Sequence, residues 1–191
     1  MIFSWKGKKV LVTGSEGMIG KELVIQLEEL GAKVSRFDIK AGLDIRKEID
    51  IRSVFEVVGP FDCVFHLFGI KGNPKMTKER PVDFMGPMLQ GDTNMILAAQ
   101  KYGVKKFLYT SSIAVENPET DKYPAWAKQT AETLIEAMRI QYPNGTKYVI
   151  VRPSNCFGVE DINRDNLMVV SSLIKYGIKN KELILDKKGV E

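Results

Sequence analysis

Two cysteines and one histidine stand among 191 residues, and that scarcity excludes much of the chemistry a chain of this size can carry. Cys63 and Cys156 fall in separate strand-like apolar runs without metal-ligand spacing, so neither a disulfide framework nor a metal site is expected. His66, in Cys63-Val64-Phe65-His66-Leu67, gives a Ser-His-Asp triad little support, because a lone histidine in a buried strand is usually satisfied by local hydrogen bonds. No block of Lys and Arg interleaves with aromatics, and a net charge of +4 is mild, so no nucleic-acid partner is expected. No apolar run approaches the roughly 20 residues that cross a bilayer, and no signal-peptide pattern opens the chain. Together these absences suggest a reducing cytoplasm and no membrane partner. Repeats and low-complexity tracts are also missing. What remains, 44% apolar and 27% charged, is enough for one substantial core and at most a small second lobe.

The most informative segment is Val10-Leu11-Val12-Thr13-Gly14-Ser15-Glu16-Gly17-Met18-Ile19-Gly20, a short apolar run that ends in glycines spaced three apart and opens an amphipathic helix. This pattern predicts a dinucleotide-phosphate cradle. Gly14 permits a tight turn, Gly17 lets backbone amides approach a pyrophosphate, and Gly20 lets the helix lie close on the strand. The pyrophosphate then sits at the positive N-terminus of the helix. The second strand ends at Phe37-Asp38, eighteen positions beyond Gly20, where an acid accepts hydrogen bonds from the adenosine ribose and repels a 2′-phosphate. Asp38 therefore favours NAD over NADP, with Arg36 and Lys40 beside it as the features that favour NADP.

Strand-length apolar runs at Lys9 to Thr13, Lys33 to Phe37, Cys63 to Leu67, Phe107 to Thr110 and Tyr148 to Val151 alternate with helical patterns. The helices are read at Met18 to Leu30, Ile51 to Val58, Met88 to Tyr102, Ala125 to Gln141 and Asn166 to Tyr176, with stops at Gly31, Gly103 and Pro143-Asn144-Gly145. Near-continuous apolar strands imply a parallel sheet covered on both faces, a Rossmann-like doubly wound α/β fold with its ligand at the carboxyl ends of the strands.

With these motifs in order, the chain resembles the extended short-chain dehydrogenase/reductase family, in its NAD-dependent epimerase/dehydratase branch that acts on nucleotide sugars. Besides the glycine motif, the resemblance rests on Leu43-Asp44-Ile45-Arg46, His66-Leu67-Phe68-Gly69, Asn94-Met95-Ile96-Leu97-Ala98-Ala99, Tyr109-Thr110-Ser111-Ser112 and Arg152-Pro153-Ser154-Asn155-Cys156-Phe157-Gly158. It implies cofactor contacts along Gly14 to Gly20, at Asp38, Asp44 and Ile45, from Leu67 to Gly69, and at Lys128 and Pro153. Phe68 stands where the family has alanine. The resemblance also implies substrate contacts at Asn155, Asn166 and Leu167, with Asn166 read equally as a helix N-cap.

The chemistry implied is hydride transfer at a sugar carbon, with Ser112 as the hydroxyl that holds the reacting oxygen and Lys128 as the lysine, followed by Glu132 at the family's spacing. The family's tyrosine lies four residues before its lysine, and that position is Pro124. Tyr123, five back, is turned roughly 140° from Lys128 on a regular helix, unless it precedes the helix as an N-cap and swings toward Ser112. Three functions stay open: a nucleotide-sugar epimerase or dehydratase, a catalytically impaired NAD-binding sensor or partner subunit, and a reductase of small carbonyl compounds or nucleotide sugars. Residues 1–152 are read as the dinucleotide-binding domain and 153–191 as a short or incomplete substrate lobe. The helices Met88 to Tyr102 and Ala125 to Gln141 are expected to form a four-helix homodimer contact, as in the family.

Overall fold

Five short runs of β-branched and aromatic residues form the strands β1 (Lys9–Thr13), β2 (Lys33–Phe37), β3 (Cys63–His66), β4 (Lys106–Thr110) and β5 (Lys147–Val151). In the computed structural model, which describes residues 4–70, 72, 74–158 and 169–180, all five are parallel in the order β2-β1-β3-β4-β5. Helices α1 (Met18–Glu29), α2 (Glu48–Val57), α3 (Pro74–Glu79), α4 (Pro81–Lys101) and α5 (Lys122–Gln141) accompany them, and α6 (Val169–Asn180) follows.

Successive strand residues point to opposite faces, and β1 shows the consequence. Val10 and Val12 pack with Val24 and Leu27 of α1, whereas Leu11 joins Ile51 and Phe55 of α2, Met95 and Ile96 of α4 and Ile135 of α5. All three β1 residues are completely buried, as expected of a central strand covered on both faces. This is the Rossmann-like fold that the sequence predicts. The chain leaves β1 for β2 on one side and returns to β3 on the other, so the crevice between the carboxyl ends of β1 and β3 is the topological switch point. Strand register levels those ends, pairing Thr13 with Phe37 and with His66, and His66 with Tyr109.

Several helices depart from the pattern-based reading: α2 begins at Glu48 rather than Ile51, α5 at Lys122 rather than Ala125, and α6 ends at Asn180 rather than Tyr176. Helix α3 has only six residues, too few to establish a period, and it was not foreseen. Helix α4 starts seven residues earlier than Met88, at Pro81, where proline suits the first turn, and it runs through Pro87. Phe84 and Met88, four apart and both buried, anchor the segments on either side of that proline.

The chain divides into two units, Met1–Ser154 and Asn155–Glu191. The first contains the whole sheet and α1 to α5; of the second, residues 155–158 and α6 are described.

Candidate functional site

The glycine segment makes a tight turn directly after β1. Gly14 adopts φ +66°, and a Cβ there would lie 2.8 Å from the Leu67 carbonyl oxygen. At Gly20 a Cβ would fall on the Gly14 carbonyl oxygen, so the first turn of α1 touches the loop it grows from. Gly17 caps α1 without a side-chain hydrogen bond, leaving the first-turn amides available to an anion. Buried beside them, Ser15 Oγ has no hydrogen-bond partner. An orphaned hydroxyl, open helix amides and a loop that excludes Cβ atoms fit a pyrophosphate.

A cavity of about 410 Å³ opens from this loop across the ends of β1, β2 and β3. Its walls include Gly14, Gly17, Asp38, Asp44, Ile45, Leu67, Phe68 and Gly69, so most of the residues expected at the cofactor are brought together. Asp38 ends β2 with each carboxylate oxygen taking a backbone N–H at 3.0 Å, Oδ2 from Glu16 and Oδ1 from Lys40. Each oxygen keeps a lone pair for a ligand hydroxyl. Arg36 is drawn to carboxylates, 3.3 Å from Glu28 and 3.9 Å from Glu16. Farther along the cavity, hydrogen bonds from Arg46 outweigh burial and hold Asp44 down at about 2. The Asn94 amide of α4 donates to the Ile45 and Arg46 carbonyls and pins this loop. The bulk of Phe68 is accommodated by Gly91, where a Cβ would come within 2.7 Å of the phenyl ring.

Lys128, on the inner face of α5, reaches Phe68, one of the residues that line this cavity. Only 6% exposed, it donates to the Phe68 carbonyl oxygen at 3.0 Å and lies 3.4 Å from Asp92 Oδ2. Asp92, on α4, also accepts from His66 Nε2 at 2.9 Å and from the Tyr109 hydroxyl at 2.6 Å. Burial would raise the Asp92 carboxyl, but Lys128, His66 and Tyr109 together hold it below the ordinary carboxylate value. Burial lowers His66 against the pull of Asp92, and burial with the nearby Asp92 charge raises Tyr109, so both remain neutral. With Nε2–H given to Asp92, His66 Nδ1 accepts the Thr13 hydroxyl at 2.8 Å. The histidine is thus the satisfied core residue that the sequence favours. Asp92, Tyr109 and Thr13 were not foreseen. The available signal was Asp92 itself, a charge on the same helical stripe as Met88, Met95, Ile96 and Ala99.

Ser112 follows β4 and caps a short 3-10 turn, Ile113–Glu116, with Oγ accepting the Ala114 N–H at 3.2 Å. Its own O–H remains a donor. Pro153 accepts the Ile113 N–H through its carbonyl, tying the stretch after β5 to this turn. Glu132 is paired with Arg152 at 3.0 Å, which outweighs burial and keeps its carboxyl low. Tyr123 requires a correction. Asp121, not Tyr123, precedes the first residue of α5, so the tyrosine sits within the helix and cannot swing as an N-cap. It is 37% exposed on the outer face with Trp126, while Lys128, Ala131, Glu132 and Ile135 face inward. Ser112 and Lys128 are therefore presented without it. Asn155 is exposed at the start of the second unit, and Asn166 and Leu167 lie outside the described residues.

Comparison with known proteins agrees with this architecture. The chain is 29% identical over 192 residues to a dTDP-4-dehydro-6-deoxy-D-allose reductase of a Streptomyces species, covering 82% of this chain and 58% of that protein. It is 28% identical over 188 residues to GDP-L-fucose synthase 1 of Arabidopsis thaliana, covering 89% of this chain and 57% of that one. It thus spans somewhat over half the length of these curated relatives. The crystal structure of Thermotoga maritima UDP-glucose 4-epimerase with UDP-glucose superposes with a TM-score of 0.79 at 25% identity, over 94% of this chain and 66% of that one. Residues 10–189 match the model of one family, and on that match the chain belongs to the NAD dependent epimerase/dehydratase family.

Proposed function

We propose that this chain holds NAD in the cavity at the ends of β1 to β3 and belongs to an enzyme that transfers hydride at a carbon of a nucleotide-linked sugar. The observation that carries this reading is Lys128, a buried cation hydrogen-bonded to the Phe68 carbonyl in the cavity wall. Bound, the nicotinamide supplies the hydride acceptor and donor. The Gly14 to Gly20 loop binds the pyrophosphate, Asp38 accepts from the adenosine ribose, Asp44 and Ile45 flank the adenine, and Leu67 to Gly69 run beneath the cofactor. Lys128 holds the nicotinamide ribose, with Pro153 beside it, and the Ser112 hydroxyl donates to the reacting oxygen. Asn155, Asn166 and Leu167, within the lobe 153–191, serve the nucleotide end of the substrate. NAD is favoured over NADP because Asp38 occupies the ribose position while Arg36 is neutralised by Glu28 and Glu16. A homodimer through α4 and α5 and a cytoplasmic location complete the proposal. No helix among the described residues is long and apolar enough to cross a membrane.

The test combines calorimetric titration with NAD and NADP and an NMR screen for product from UDP-, GDP- and dTDP-linked sugars. Product that disappears in Lys128→Ala supports the enzyme, and tight NAD binding without product from any of them overturns it. A second reading, a dinucleotide-binding sensor or partner subunit, is favoured by Pro124 at the acid/base position and by the outward-facing Tyr123. Turnover that depends on Ser112 removes that reading. Net oxidation of NADH, in place of redox-neutral isomerisation, would identify a reductase.

A further inference from the structure

A carboxylate with no solvent exposure is rare unless its charge is used or matched. Asp92 is such a group, and it joins four elements: His66 at the end of β3, Tyr109 in β4 and Lys128 on α5 meet it from its place on α4. Through His66 the link extends to Thr13 at the end of β1. The ammonium of Lys128 also lies over the Tyr109 ring, 4.7 Å from its centroid. Two of its three N–H donors are engaged, by Asp92 and by the Phe68 carbonyl.

We propose that Asp92 is a positioning residue whose charge fixes Lys128 as an ammonium at the Phe68 carbonyl, so that the lysine meets a dinucleotide ribose without the phenol that Pro124 displaces. The groups facing Lys128 leave this task to Asp92. His66 and Tyr109 are neutral donors to the carboxylate, and Glu132, one turn along α5, is occupied by Arg152. With Asp92 neutralised, a buried ammonium keeps only a carbonyl and a ring face, and burial then favours the uncharged amine. The inference rests on the dinucleotide reading above, and its test separates the two.

The native protein, Asp92→Asn, Lys128→Met, the double variant and Tyr109→Phe are compared by NAD affinity at about pH 6 and about pH 9, and by acetylation of the Lys128 amine read by peptide mass spectrometry without cofactor. Native affinity changes less than about twofold across that range, whereas D92N weakens about tenfold as pH rises. In the Lys128→Met background, D92N adds nothing, as required when one residue acts through the other. Tyr109→Phe, which keeps the charge, follows the native profile. Acetylation of Lys128 rises at least about threefold in D92N, because the uncharged amine is the reactive form. A flat D92N profile with native acetylation overturns the proposal. If the native chain binds no dinucleotide, the cofactor reading falls and acetylation alone decides the role of Asp92. If D92N fails to fold but the double variant folds, the stranded ammonium is the cause and the coupling stands; if both fail, Asp92 is structural and the proposal falls.

Discussion

At the scale of single residues, the cradle depends on atoms that are missing. A methyl group at Gly20 would fall on the Gly14 carbonyl oxygen, backbone against backbone, with no flexible side chain to give way. Gly20→Ala is therefore expected to cost about 1–3 kcal/mol, as overpacking in a tight interior does, and to abolish NAD binding. Thermal unfolding and calorimetry check the two parts separately. The Asp44–Arg46 pair makes a prediction about acid. Its folded value is lowered from the ordinary 3.8 to about 2, so the pair contributes stability above the ordinary value and loses it as pH falls through about 2. Asp44→Asn should lower the melting temperature near neutral pH and lower it far less near pH 2; an equal loss at both would show that packing, not charge, is at stake. The glycine spacing and the Asp38 position were legible because each is a local motif. The pairing of Arg36 with Glu28 was not, since it joins a strand residue to a helix residue that no local motif connects.

At the scale of elements, the five strands were legible because apolar β-branched runs have few alternatives, and their bounds moved by no more than one residue. Prolines hid the starts of α4 and α5. In the sequence pattern α4 begins at Met88, yet the helix runs through Pro87, giving up one intrahelical hydrogen bond while Phe84 and Met88 hold both sides to the core. Pro87→Ala should restore that bond and stabilise the fold by about 1–3 kcal/mol, seen as a higher melting temperature. Pro124 has a different consequence. It lies four residues before Lys128 inside α5, a separation that turns a side chain only about 40° away, whereas Tyr123 is turned about 140°. Pro124→Tyr should place a phenol beside Lys128 and raise turnover of a nucleotide sugar by roughly 10²–10⁴, the usual worth of a placed acid/base. Tyr123→Phe should change nothing. A loss of activity in Tyr123→Phe would require α5 to rearrange when substrate binds.

At the scale of the molecule, the least legible feature is the one that ties the site together. Thr13, His66, Asp92, Tyr109 and Lys128 come from five elements, and only the parallel register of β1, β3 and β4 brings them to one level. A sequence read for local periodicity registers each of them separately. The outer surface of α4 and α5 poses the complementary problem, because it is formed by neighbouring helices and its apolar residues were visible from the start. Met95, Ile96 and Ile135 are spent on the sheet, but Leu97 is 47% exposed and Ile140 is 82% exposed. Between α4 and α5 runs a groove of about 500 Å³ whose walls include Leu97, Lys101, Leu134, Met138 and Tyr142. Apolar side chains beyond those needed to cover the sheet are what a helical face requires to pack on a second copy of itself. Leu97→Glu sets a charge in that contact without touching the core. Light scattering should therefore find the native chain dimeric and Leu97→Glu monomeric, with NAD affinity unchanged because the cavity lies at the strand ends. A monomeric native chain would leave the face without a partner and remove the dimer from the proposal.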